Sequence, residues 1–360
     1  MQWKRFAPWL LPVIPAAGIK ILTFFPDIIE KYYSNGLYLF LARFLRFVFG
    51  WIPFSAGDVL YGIVFIYILI SIGRFIRKGF QRRLHREYVF YCAGRMLSTA
   101  LWVYVIFNFL WGLNYDRPDI ASRMHLESRP YTTDELKNLM SAIVFRMNDL
   151  DSAARIERPK LNRKKTLFRE STAAYRAYAA HDDVFFYHTP SVKPSLYSYL
   201  GNYFGFSGYY NPFTGEAQVN TTVPVFVQPF TTCHEIGHQL GYAKEEEANF
   251  AGYLAAKSSA DPAFRYSVYL DLYIYAGSEL YFRDSVSYIP YRELLKPAVR
   301  RDLRDLKNFY KKYENPFEPI IRRLYGDYLK ANKQPQGINS YDEVIGLAIA
   351  YYKKFGREAF

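Results

Sequence analysis

Long apolar runs with almost no charged side chains most strongly constrain how this chain can fold. Residues 96–113 carry no charge, and residues 59–72 form a second uncharged run that residues 54–57 extend. Because backbone polar groups must be paired inside a bilayer, such runs cross it as helices of roughly 20 apolar residues. We therefore predict transmembrane helices over about residues 54–76 and 96–114.

A third apolar segment covers residues 6–25. Its length suits a crossing, although Pro8, Pro12, Pro15 and Lys20 interrupt it. A cleaved signal peptide is the alternative, but no small-residue cleavage site follows, and we predict a retained, kinked transmembrane helix.

An aromatic-rich segment over residues 34–51 places Arg43 and Arg46 three residues apart. This pattern fits an amphipathic helix in the membrane interface, and it also fits a connecting helix packed on the other helices. Asp58, at the start of the next span, fits a helix cap or an interfacial position.

The chain has a net charge of +13, and a strongly basic run lies between the second and third spans. Glu87 is the one acid among the basic residues Arg74, Arg77, Lys78, Arg82, Arg83, Arg86 and Arg95. A basic loop between two spans is typical of the cytoplasmic side, so nucleic acid is not an expected partner. This places the amino terminus in the cytoplasm and residues 116–360 outside it.

No run after residue 115 is long enough to cross a membrane, so residues 1–115 form a membrane domain and residues 116–360 a separate, mostly helical domain. Thr132 and Glu135 fit a capping box before an amphipathic helix. Residues 161–180 favour a second helix. Residues 183–227 look sheet-like, with a turn at 211–215. A helix that carries His234 and His238 follows, and further helices are predicted over about 245–258, 263–282, 291–313 and 316–331, and after a capping box at Ser340 and Glu343.

The segment 233–250 carries the chemistry. His234 and His238 lie four residues apart, so on a helix both imidazoles face one point, with Glu235 beside them. Such a pair binds one Zn²⁺ ion and leaves a position for water, from which a glutamate takes a proton. Glu235 is therefore the predicted catalytic base.

The third zinc ligand must come from a following segment. Gly241 allows the chain to reverse after the first helix. Among the glutamates that follow, Glu245 has Asn249 one turn later on the same face, where the amide could orient a ligand. We predict Glu245 as the ligand, with Asn249 behind it and Glu247 as the alternative.

A non-metal interpretation is also possible, because Thr232 and Glu235 match a capping box that would leave the histidines as packing groups. Pro229 argues against it, since proline suits the first turn of a helix that already includes Thr232. Cys233 lies about 100° from His234 around such a helix and is a packing residue. The two cysteines imply no disulfide framework.

These motifs resemble those of known protein families. HExxH at 234–238 with ExEAN at 245–249 resembles the gluzincin pattern of membrane-anchored zinc peptidases, with Asn249 where gluzincins usually have Asp. The stretches PFSAGD, YNPFTGEA and HExxHQLG are similar to an uncharacterised bacterial membrane-protein family classed as a domain of unknown function. The resemblance implies a zincin-like α+β fold, with His234, His238 and Glu245 as ligands and Glu235 as base.

By analogy with zincins, the hairpin at residues 209–220 would pair with the substrate backbone, and Tyr209 or Tyr210 would donate to the oxyanion. The complete prediction is a mainly α protein of the bacterial inner membrane with three transmembrane helices and an extracytoplasmic zinc metallopeptidase domain. Its partners would be the bilayer and a peptide or protein substrate in the envelope. The alternative is a catalytically inactive envelope scaffold or receptor.

Overall fold

The computed structural model describes residues 9–127 and 129–360. The amino-terminal part is a series of helices: α1 (Val13–Leu22), α2 (Pro26–Ile28), a π-helix (Ile29–Leu37), α3 (Tyr38–Gly50), α4 (Ala56–Phe80) and α5 (Arg86–Leu110). Within the described residues, α4 and α5 are the two helices long and apolar enough to cross a membrane. No residue in the most apolar window of α4 is buried.

The expected transmembrane helix over residues 6–25 is corrected by the structure. The helix here is α1, which has ten residues and begins just after Pro12. Ten residues of α-helix rise about 15 Å, whereas the hydrocarbon core is about 30 Å thick. Proline cannot donate to a helix interior, so the chain breaks again before Pro26. Residues 6–8 of the predicted span lie outside the described residues.

Helix α3 combines features of both interpretations of residues 34–51. Tyr38, Ala42 and Arg46 follow at four-residue spacing and are buried against the rest of the protein. The opposite face exposes Phe40, Phe44 and Phe47. The helix is therefore packed on one side and leaves an aromatic surface on the other.

The carboxy-terminal part is built from helices around one apolar core. Helix α6 (Ile120–Arg123) precedes α7 (Thr133–Glu157) and α8 (Lys164–Ala179). The predicted capping box of α7 is confirmed, because Thr132 and Glu135 exchange both hydrogen bonds. The buried face of α7 carries Leu136, Leu139, Met140, Ile143, Val144 and Met147, the residues whose spacing predicts it.

A small sheet and a short helix follow: β1 (Val192–Pro194), α9 (Ser198–Phe204), β2 (Gly208–Asn211) and β3 (Glu216–Val219). The strand order is β1-β3-β2, with β1 parallel and β2 antiparallel to β3. The predicted turn lies between Asn211 and Gly215, where the Gly215 N–H donates to the Asn211 carbonyl (2.8 Å). The outer edge of β2 has no strand partner within the described chain.

The remaining helices are α10 (Gln228–Gln239), α11 (Glu245–Lys257), α12 (Pro262–Arg283), α13 (Ser285–Leu294), α14 (Pro297–Tyr313), α15 (Glu318–Ala331) and α16 (Val344–Ala359). The prediction of one helix over residues 291–313 was wrong. Leu295 and Lys296 are extended, and Pro297 opens a new helix. A residue before proline is disfavoured in helical conformation, which explains the break.

The predicted capping box at Ser340 and Glu343 was also wrong. Residues Gly337–Glu343 form a 3-10 helix, and α16 begins at Val344 without a side-chain cap. The buried Ser340 hydroxyl has no hydrogen-bond partner among the described residues.

The start of α4 is tied to the sheet by two carboxylates. Glu216 on β3 accepts hydrogen bonds from the backbone N–H groups of Ala56 (3.2 Å) and Gly57 (2.6 Å). Asp58 accepts from the Leu196 N–H (2.7 Å), while Ser55 caps the helix. Negative charge at a helix amino terminus is favourable. These bonds cross the proposed domain boundary after residue 115, which stays a prediction.

Candidate metal centre

The HExxH motif lies on helix α10, whose residues are all buried. Pro229 lies in its first turn, and the Thr232 hydroxyl donates to the Gln228 carbonyl four residues earlier (2.7 Å). Thr232 is thus inside the helix rather than at its cap. The capping-box interpretation of Thr232 and Glu235 therefore does not apply, and the histidines are presented from a regular helix.

Close helix packing brings the next glutamate to the histidines. Gly241 follows α10 with φ of 90°, the left-handed conformation that the sequence predicts for a reversal. Helices α10 and α11 then cross at two glycines. A Cβ added to Gly252 of α11 would lie 2.9 Å from the backbone nitrogen of His234. A Cβ added to Gly237 of α10 would lie 3.1 Å from the carbonyl oxygen of Ala248. Only glycine allows this approach without displacing backbone.

The carboxylate of Glu245 faces both histidines. Its Oε2 lies 3.3 Å from Nε2 of His234 and 3.5 Å from Nε2 of His238. Two atoms bound tetrahedrally at the usual zinc distances of about 2.0 to 2.1 Å are themselves about 3.4 Å apart. The distance from the Glu245 oxygen to each histidine nitrogen therefore matches the separation of two ligands of one zinc ion.

Each histidine is oriented through its other ring nitrogen. Nδ1 of His234 lies 2.7 Å from Oδ1 of Asn249, and Nδ1 of His238 lies 2.7 Å from the Tyr242 carbonyl oxygen. An acceptor at Nδ1 fixes the tautomer that leaves Nε2 free to bind a metal. Asn249 thus lies where the sequence predicts, behind a histidine.

Burial and charge shape the electrostatics of the cluster. Burial alone would raise the pKa of Glu245, but the two histidines hold that pKa well below its usual range. Burial also disfavours a charged His238, yet Glu245 and Glu235 together raise the pKa of His238 to about 9. For His234, burial lowers the pKa. A positive charge on His238 and the negative charge on Glu245 therefore stabilise each other.

Glu235 lies beside the cluster without a hydrogen-bonding partner for its Oε2 in the described part of the chain. One ligand-type atom from each of His234, Glu235 and His238 lies within 4.8 Å of the others. Burial raises the pKa of the Glu235 carboxyl to about 8. Strand β2 approaches closely, since a Cβ on Gly208 would lie 2.5 Å from Oε1 of Glu235.

Glu247, the alternative ligand, lies elsewhere. It accepts a hydrogen bond from the Ile120 N–H (3.1 Å) and pairs with Lys244 (3.6 Å). Its carboxylate therefore holds the start of α6 instead of facing the histidines.

The two tyrosines predicted near the oxyanion have other contacts. The Tyr209 hydroxyl donates to Asp58 (2.5 Å) and lies 2.7 Å from the Ser195 hydroxyl. Tyr210 packs on Trp111 with ring centroids 5.1 Å apart. Both tyrosines line a cavity that also reaches His234 and Glu235, but the Tyr209 hydroxyl is already engaged.

Sequence reasoning missed two aromatic residues of the site. The Tyr325 hydroxyl donates to Oε1 of Glu245 (2.8 Å) and lies 3.2 Å from the Tyr341 hydroxyl. The Tyr341 ring stacks on His234 with centroids 6.1 Å apart. Among 34 tyrosines, these two follow no motif that would single them out.

The amino-terminal helices hold the carboxyl end of α10. The hydroxyl of Tyr38 and the guanidinium of Arg46 each donate to the Gln239 carbonyl at 2.9 Å. The indole N–H of Trp111, directly after α5, donates to the His238 carbonyl (3.1 Å). Helix ends leave carbonyls without intrahelical partners, and these side chains satisfy them.

The comparisons with known proteins give one match. A family model described as a protein of unknown function (DUF3810) covers residues 33–349, which include α3 to α15 and the candidate metal centre. The chain belongs to the DUF3810 family. This agrees with the resemblance to an uncharacterised family. No curated protein and no solved structure matches the chain.

Proposed function

We propose that this DUF3810 protein is a membrane-anchored zinc metallopeptidase with a zincin-like domain. The observation that carries the proposal is the position of the Glu245 carboxylate oxygen, 3.3 and 3.5 Å from the two histidine nitrogens. Two imidazoles and one carboxylate form the ligand set of a hydrolytic zinc site. Glu235 lies beside these ligands, where a general base is needed.

His234, His238 and Glu245 would hold the zinc ion, which when bound lowers the pKa of water and polarises a carbonyl. Glu235 would take a proton from the attacking water and deliver it to the leaving amine nitrogen. Tyr325 holds the second oxygen of Glu245. The free edge of β2 beside Glu235 offers backbone groups to an extended peptide, and Gly208 keeps that approach open.

The proposed location is the bacterial inner membrane, with α4 and α5 as spans and the basic loop in the cytoplasm. The amino-terminal segment packs beside α5. Two contacts support this: Trp9 packs on Tyr91 with centroids 5.3 Å apart, and the Tyr33 hydroxyl donates to the Phe109 carbonyl (3.0 Å). The segment thus runs along most of α5.

The substitution Glu235→Gln tests the activity. We expect the variant to keep stoichiometric zinc, because Glu235 is not a ligand, and to lose hydrolysis by about 10²- to 10⁴-fold, the usual contribution of a general base. Metal analysis of the purified protein and mass spectrometry of envelope peptides, from cells with wild-type or variant protein, measure both. Zinc without Glu235-dependent products would favour the inactive scaffold, and absence of zinc would reject both the metal site and the peptidase.

A further inference from the structure

The candidate metal centre opens into a cavity of about 900 Å³ that reaches between the two long apolar helices. Tyr61 of α4 lines it on one side. Helix α5 lines it with Ala100, Val103, Tyr104 and Phe107. His234, Glu235, His238 and Glu245 form its inner end. An apolar path therefore runs from the surface of two membrane-type helices to the catalytic glutamate.

A second cleft of about 530 Å³ reaches the same centre and has a different lining. It includes the charged side chains of Asp271, Glu314, Glu318 and Arg322. Both spaces are bordered by Gly208, His234, Glu235, Tyr325 and Tyr341. The two spaces meet at the candidate centre, one apolar and one charged.

The level of the centre relative to the apolar helices follows from contacts at the helix ends. Trp111, the first residue after α5, donates to the His238 carbonyl, and Glu216 binds the first turn of α4. His238 thus lies beside the end of α5, and the start of α4 is bound to the sheet whose Gly208 meets Glu235. Tryptophan is typical of the boundary between hydrocarbon and water.

We propose that the substrate is a polypeptide with a membrane-inserted apolar segment, cleaved where that segment meets its polar, extracytoplasmic flank. The apolar part would lie between α4 and α5, and the polar flank would occupy the charged cleft. This inference rests on the proposed peptidase activity. A wholly soluble peptide would leave the apolar cavity unused, whereas a peptide entirely within the bilayer would leave the charged cleft unused.

The substitution Val103→Trp tests the inference, because it fills the apolar cavity without touching the catalytic residues. Ile106→Trp is the matched control: both residues are about half exposed (49% and 43%), but Ile106 does not line the cavity. The full-length variants are reconstituted in phosphatidylethanolamine and phosphatidylglycerol vesicles. Each receives a single-span substrate with a leucine-alanine segment of roughly 20 residues, or its polar flank alone.

We expect Val103→Trp to cleave the single-span substrate about 10- to 100-fold more slowly, since misplacing a reacting bond costs about 10²-fold. Ile106→Trp should match wild type, and both variants should cleave the flank alone at the wild-type rate. Equal cleavage of the single-span substrate by Val103→Trp, with unchanged zinc content and thermal unfolding, would overturn the inference. So would equal wild-type rates on the anchored substrate and the flank alone.

A photo-crosslinker at residue 103 in the Glu235→Gln protein separates this inference from the peptidase proposal. Crosslinking to the apolar segment of the substrate supports the substrate class even if no turnover is found. Crosslinking to phospholipid alone would show that the cavity holds lipid and would reject the inference. Glu235-dependent cleavage without crosslinking to the substrate would leave the peptidase standing and the substrate class refuted.

Discussion

At the scale of single residues, the candidate centre depends on which oxygen and nitrogen atoms converge. Three consecutive glutamates follow the HExxH helix, and only the first faces the histidines. Glu247 instead binds the Ile120 backbone N–H. The choice is decided by rotation around α11, because each residue turns about 100° from the previous one.

The two glutamates should therefore respond differently to removal. Glu245→Ala deletes a proposed ligand and leaves two imidazoles, so we expect zinc affinity to fall much more than the 10- to 100-fold loss that is roughly typical of outer-shell changes. Competition with a zinc-binding dye measures the affinity.

Glu247→Ala is the comparison. It should keep zinc affinity and lower the thermal unfolding midpoint, because it leaves the Ile120 N–H without its acceptor. Equal losses of zinc affinity in the two variants would show that Glu245 is not the third ligand.

At the scale of elements, the site is a crossing of two helices. The close approach of α10 and α11 places Glu245 opposite His234 and His238, and Gly252 stands at the contact with the His234 backbone. Carbonyls at the end of α10 are bound by Tyr38, Arg46 and Trp111, which belong to the amino-terminal helices or follow them. The amino-terminal part thus helps to hold α10 in place.

The helix crossing predicts the effect of a single methyl group. Gly252→Ala places a Cβ 2.9 Å from a backbone nitrogen, so the helices must separate. We expect about 1 to 3 kcal/mol lower stability and weaker zinc binding. Thermal or denaturant unfolding and zinc titration measure these effects.

Gly346→Ala in α16 is the control for this substitution. Its added Cβ would meet Tyr131 at 3.4 Å, an ordinary contact. Alanine favours helix over glycine, so this variant should be neutral or slightly more stable. If Gly252→Ala were equally tolerated, the crossing could not be as tight as described.

At the scale of the whole molecule, two long apolar helices and one mainly helical body share a set of polar contacts. Glu216 binds the start of α4, and Trp111, directly after the end of α5, binds the His238 carbonyl. The basic connection between α4 and α5 lies at the opposite ends of these helices. A membrane crossed by both helices would therefore separate the basic loop from the candidate metal centre.

Topology reporters test this arrangement. A fusion at Gly79 should report the cytoplasm, because the surrounding arginines disfavour translocation, and a fusion at the carboxy terminus should report the opposite side. A pair of reporters with opposite compartment requirements, such as a phosphatase and a fluorescent protein, gives complementary signals. A cytoplasmic carboxy terminus would contradict the proposed topology.

The sequence by itself predicts the elements whose signals are local. The HExxH spacing, Pro229 and the glycine reversal predict α10 and its end, and the Thr132 capping box predicts the start of α7. The hairpin turn and the presence of two long apolar helices are likewise predicted, although α5 begins at Arg86, ten residues before its predicted start. Local signals also mislead: the Ser340 capping box forms no cap, and the apolar segment near the amino terminus contains only a ten-residue helix.

Only the tertiary structure decides which side chains come together at the candidate centre. Tyr325 lies 80 residues after Glu245, and Tyr341 lies more than 100 residues after His234, so no spacing rule links them. Tyr38 and Arg46, about 200 residues earlier in the chain, likewise donate hydrogen bonds to the end of α10. Hydrogen bonds over such distances depend on how whole helices pack, whereas ligands four residues apart on one helix depend only on helix geometry.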